Sequence, residues 1–119
     1  MATIRSYTSL EQSKRLAEIL PLEIADMYYE WPNKKVHFKD DKYNGMGFSC
    51  WSLAALLGVL PMITKGKENA NPFIAKTPDN EYYVVYATLT EEVDSSAIYN
   101  NPIDACVEMI IHLHELNLL

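Results

Sequence analysis

The chain has 119 residues and sixteen Asp and Glu against ten Lys and Arg, a net charge of −6 that works against a general phosphate-binding role. That length suits one α+β domain, 1–119, able to bury roughly two thirds of the surface its unfolded form exposes without disulfide or metal staples. No run approaches the roughly 20 apolar residues of a membrane-spanning helix, and Met1 to Ser9 lacks the apolar core of a secretory signal, so a cytoplasmic protein with no membrane partner is expected.

Charge is unevenly placed along the chain. Up to Leu60 there are seven basic and seven acidic residues, and from Pro61 onward three basic and nine acidic, so the acidic excess lies in the second half. A nucleic-acid surface is unfavourable there, while the neutral first half leaves that question open.

Thr8 with Glu11 three positions later reads as a capping box, and Leu10, Ser13, Leu16, Ala17 and Leu20 follow at helical spacing. Pro21 interrupts this helix, and Leu22 to Tyr29 reads as a second, shorter one with Leu22, Ala25 and Tyr29 on one side. From about 30 to 47 the periodicity gives way to turn residues around the alternating Lys35-Val36-His37-Phe38-Lys39, a surface excursion resembling a hairpin.

Cys50 to Leu60 is the only sustained apolar run. With Ser49 before it and Pro61 after it, it predicts a helix that other elements must cover on nearly every side, the buried middle of the fold. Thr64 to Asn71 reads as a polar connection. Phe73–Lys76 and Glu81–Ala87 read as an antiparallel hairpin, the second strand rich in tyrosine and valine. Leu89 to Ser96 is expected as acidic loop, and Ala97-Ile98-Tyr99 as a possible short third strand. The last helix starts at Asn101 as cap and Pro102 at its first position, with Ile103, Cys106, Val107, Ile110, Leu113 and Asn117 along one face. The expected architecture is therefore α+β, with helices packed on a small two- or three-stranded antiparallel sheet.

Three groups of residues carry chemical possibilities. Cys50, in the first turn of the expected helix, would sit near free N–H groups that stabilise a thiolate. Its surroundings, Gly47-Phe48-Ser49-Cys50-Trp51-Ser52, resemble those of the nucleophile in papain-like cysteine proteases over about six residues, but neither hairpin strand carries the histidine such a site needs. Cys50 and Cys106 both suit buried, reduced thiols. His112 and His114 point about 200° apart on a helix and cannot share an ion, and Glu108, His112 and Glu115 suit a solvated stripe, so no metal is expected. No cofactor is expected either, since Gly45, Gly47, Gly58 and Gly66 form no phosphate-cradling loop. The third group is the aromatic and basic excursion, whose candidate binding residues are Tyr28, Tyr29, Trp31, Lys35, His37, Phe38 and Tyr43.

Together Ser9–Lys14, Ala25–Tyr28, Cys50–Leu56, Tyr82–Tyr86 and Asn101–Cys106 resemble a family of small uncharacterised proteins of Bacteroides-type gut bacteria, often carried on phage or other mobile elements. The resemblance implies a bacterial cytoplasmic setting and no particular activity. The expected function is a non-enzymatic accessory or interaction protein of a bacterial mobile element, with an unknown protein partner or self-association. Two alternatives stand beside it: a cysteine-dependent hydrolase or transferase using Cys50, and a weak binder of single-stranded nucleic acid through residues 28–43.

Overall fold

A computed structural model describes residues 5–65 and 67–119; Gly66, within the expected polar connection, lies outside them. The fold is built on its last helix, α3 (Pro102–Glu115). Asn101 caps it as expected, its side-chain oxygen accepting the Asp104 N–H at 3.0 Å, with Pro102 in the first turn. Ile103, Cys106, Val107, Ile110 and Leu113 are buried, joined by Ala105 and Met109. Asn117 lies past the helix end with φ of 59°, a left-handed conformation that asparagine tolerates, so the helical face stops short of it.

Against α3 packs strand β6 (Tyr82–Ala87), a member of a four-stranded antiparallel sheet ordered β4-β5-β6-β7, with β4 at Ile63–Lys65, β5 at Glu68–Lys76 and β7 at Glu92–Ser95. Val84 and Tyr86 face the core, paired with Ile74 and Pro72 of β5. The expected hairpin is thus present, but β5 runs longer than expected and both flanking segments are strands rather than loops. Their sequences hid this because each is short, polar and at an edge of the sheet, where charged side chains are favoured against edge-to-edge association. The expected strand Ala97–Tyr99 reduces to one bridge, in which Tyr82 and Tyr99 exchange backbone bonds of 2.6 and 2.8 Å.

The first half forms a second sheet, three-stranded and ordered β2-β1-β3, from β1 (Met27–Tyr29), β2 (Val36–Phe38) and β3 (Phe48–Cys50). Two antiparallel sheets therefore replace the single small sheet expected. Helix α1 (Leu10–Ala17) packs against β3 and α3. Its cap is Ser9 with Gln12, not Thr8 with Glu11: the Thr8 hydroxyl is taken by Ser13 and by the Trp51 N–H, while the Thr8 N–H donates to the Trp51 carbonyl. Leu22 to Tyr29 is a correction too. Only a 3₁₀ turn, Leu22–Ile24, forms before the chain extends into β1, where pairing on both sides outweighs weak helical spacing.

The apolar run is the largest correction. Helix α2 covers only Leu53–Val59, capped by Ser52, and of its seven residues only Leu56 is buried. Cys50 and Trp51, before it, are fully buried, but Ala54, Leu57 and Gly58 face solvent. The buried middle of the fold is α3.

Candidate functional site

The three-stranded sheet carries the candidate binding residues, and its register decides which of them meet. Met27 stands opposite Phe38 and Cys50, Tyr28 opposite His37 and Ser49, and Tyr29 opposite Val36 and Phe48. Because side chains alternate along a strand, Tyr28 and His37 share one face, while Tyr29 and Phe38 lie on the other. The seven residues therefore do not form one surface.

On the first face the Tyr28 ring lies 5.4 Å from the His37 ring and 4.9 Å from that of Tyr43. His37 Nε2 is 2.8 Å from the Glu30 carboxylate, and this hydrogen bond holds the Glu30 pKa below its usual value. Tyr28, Trp31 and Tyr43 line an open cleft of about 570 Å³ with Met46, Glu30 and Asp40. Trp31, past the end of β1, meets Phe48 of the second face edge to face at 5.8 Å and is 56% exposed. Gly47 also lines the cleft, with φ of 78°, and a Cβ there would collide with the Tyr29 carbonyl oxygen. Only glycine satisfies both demands.

The lysines are less free than the sequence suggests. Lys39 Nζ donates to the Leu22 carbonyl at 3.2 Å and the Ser49 hydroxyl at 3.0 Å and lies 4.8 Å from the Tyr43 ring centre, and partial burial lowers its pKa. Lys34 covers the Trp31 ring at 5.7 Å. Lys35 is exposed, and its carbonyl accepts the Glu30 N–H.

On the second face Tyr29 turns inward. Its hydroxyl donates to the Thr8 carbonyl at 2.8 Å, and burial pushes its pKa up to about 12, so it is a structural member of the set. Phe38, 69% exposed, lines a separate groove with Met27, Val36, Leu53 and Ala54.

Cys50 ends strand β3 and is not in a helix first turn, so it lacks the N–H groups and dipole that motivated the nucleophile reading. Burial, and then the Asp26 carboxylate, push its thiol up to about 12 despite the opposing Lys39. This is the reverse of activation. Cys106 is likewise a free, buried thiol raised to about 12 by burial.

Of the helix histidines, His112 finds a structural setting, while His114 is exposed. His112 Nε2 lies 2.8 Å from Asp94 of β7, and Glu108 accepts the Ala97 N–H at 2.8 Å, so that face of α3 holds the β7 segment in place. Among the described residues no group of three His, Cys, Asp or Glu could hold a metal ion, and no helix is long and apolar enough to cross a membrane. Sequence reasoning missed Met46 and Gly47 as cleft residues; the signal for Gly47 was its place just before an alternating segment. Compared with family models, curated proteins and solved structures, the chain shows no match.

Proposed function

We propose that this chain is a non-enzymatic accessory protein of a bacterial mobile element, acting in the cytoplasm by binding a protein partner in the cleft of Tyr28, Trp31 and Tyr43. The observation that carries this reading is three aromatic rings on one open cleft, one of them an exposed tryptophan fixed against Phe48. Tryptophan and tyrosine dominate the energetics of protein interfaces because each covers a large area at small cost in side-chain entropy.

A second reading has one observation in its favour. The Tyr28 and Tyr43 rings, with Lys39 and Lys42 nearby, have the chemistry that stacks bases and contacts phosphates. The Glu30 and Asp40 carboxylates on the same cleft, and the hydrogen bonds already made by Lys39, favour the protein partner.

The test compares tagged wild-type chain with Trp31→Ala and Tyr43→Ala variants in co-purification from host cells, followed by affinity measurement with the captured protein. Each variant should weaken binding by about tenfold or more while keeping the wild-type melting temperature. Capture of the same partner at equal affinity by both variants would refute the assignment. Binding to single strands that falls steeply with salt would select the second reading.

A further inference from the structure

The aromatic cleft carries charge as well as ring surface. Glu30 and Asp40 line it, and Lys42 is the one basic group among its described lining residues, so its walls are net negative in a chain of charge −6. The His37 and Asn33 side chains hydrogen-bond the Glu30 carboxylate and hold its pKa below the usual value, which keeps it ionised at neutral pH. Asp40 Oδ1 accepts the Lys42 N–H at 2.9 Å, which orients the second carboxylate.

Aromatic rings beside carboxylates attract a cation, because each ring face carries negative π density and the carboxylates add a full charge. The chain already makes such contacts with its own lysines: Lys39 Nζ lies 4.8 Å from the Tyr43 ring centre and Lys34 Nζ 5.7 Å from that of Trp31. Neither lysine lines the cleft. Lys39 lies in the neighbouring recess, held there by the Leu22 carbonyl and the Ser49 hydroxyl, and Tyr43 borders both spaces. The cleft therefore offers its rings to a cation from outside the chain, with Tyr28 and Tyr43 4.9 Å apart and inclined at 41°.

Resting on the assignment of this cleft to a protein partner, we propose that it takes an exposed arginine of that partner, the guanidinium lying against Tyr28, Trp31 and Tyr43 with Glu30 and Asp40 as counter-charges. A guanidinium is planar, stacks on ring faces and holds its water weakly, and its fork of N–H groups can meet one carboxylate with two hydrogen bonds. An ammonium is a compact, strongly hydrated point charge that would leave most of the ring area uncovered. A phosphate would meet two carboxylates of its own sign in this cleft.

The experiment is an NMR titration of the full chain with a blocked Gly-Arg-Gly peptide, its lysine counterpart, and its citrulline counterpart, which keeps the planar shape without the charge. The arginine peptide should bind with a dissociation constant of about 1–10 mM, moving the Trp31 indole N–H signal while that of the buried Trp51 stays in place. The citrulline peptide should bind at least about tenfold more weakly and the lysine peptide about threefold more weakly. Glu30→Gln and Asp40→Asn should each weaken the arginine peptide, and the partner captured by the wild-type chain, by about threefold or more. If Glu30→Gln lowers the melting temperature, Asp40→Asn decides alone. Citrulline or lysine peptides that bind as well as arginine, or no response at Trp31, overturn the proposal. A captured partner that is weakened by Trp31→Ala but not by Glu30→Gln or Asp40→Asn keeps the cleft as its site and overturns the arginine. A partner bound equally by Trp31→Ala and Tyr43→Ala removes the site assignment, and the arginine with it.

Discussion

Exchanging Ile110 and Leu57 for alanine, one at a time, tests where the weight of the fold rests. Ile110 is fully buried in α3 and belongs to the main core cluster. Removing its branched side chain costs about 0.8 kcal/mol per methylene lost from the interior, to which the cavity left behind adds, for a total of about 3–4 kcal/mol. Leu57 is 38% exposed on α2, so much of its transfer free energy is never realised, and alanine is the better helix former. Its replacement should cost about 1 kcal/mol or less. For a domain of this size the difference amounts to roughly 10 °C in melting temperature, and the Ile110 variant should remain folded with a lower urea midpoint and an unchanged m-value. Urea titrations measure both variants. If Leu57→Ala loses as much stability as Ile110→Ala, α2 is the covered centre of the fold and the placement of α3 there is wrong.

Alkaline pH should destabilise the chain in a defined window. The Cys50 and Cys106 thiols stand at about 12 in the folded state against roughly 8.5 in the unfolded one. The unfolded chain therefore loses these protons first, so stability is fully present below the unfolded value and falls as pH climbs toward the folded one. Tyr29 and Tyr86, also raised to about 12 by burial, add to the loss above their ordinary value of 10.0. Urea midpoints that stay flat from about pH 8 to about pH 11 would contradict this, as would alkylation of the native thiols as fast as in the unfolded chain. Gly47→Ala should cost about 1–3 kcal/mol, because its φ is positive and the added Cβ meets the Tyr29 carbonyl oxygen. The loss should be accompanied by a change in tryptophan fluorescence as the strand bearing Phe48 shifts against Trp31; an unchanged urea midpoint and spectrum would show that β3 can move aside freely.

The α+β class, the start of α3, the β5–β6 hairpin and the β2 segment were legible because each carried its own local signal: a capped helix with one apolar face, or alternation between turn residues. The elements that stayed hidden owe their form to tertiary pairing. Glu92–Ser95 and Ile63–Lys65 are edge strands whose composition matches that of loops. Leu22–Tyr29 has helical spacing, but its last three residues are held extended by strands on both sides. The apolar run misled for a related reason. Density of apolar residues signals burial only when no interface is offered elsewhere, and here Cys50, Trp51 and Leu60 at the ends of the run enter the core while the helix between them lies at the surface.

The candidate site shows how much depends on one strand assignment. Composition alone gathered Tyr28, Tyr29, Trp31, Lys35, His37, Phe38 and Tyr43 into one surface, and alternation in Lys35–Lys39 already implied that His37 and Phe38 point apart. What the sequence did not reveal was that Tyr28 and Tyr29 also belong to a strand, so that one joins His37 and Tyr43 while the other bonds Thr8. A helix would have set those tyrosines about 100° apart, with some shared surface; a strand sets them on opposite faces. The same geometry leaves Phe38 outside the aromatic cleft and places it beside α2. Two surfaces of different character, the aromatic cleft and the groove beside α2, therefore replace the one expected.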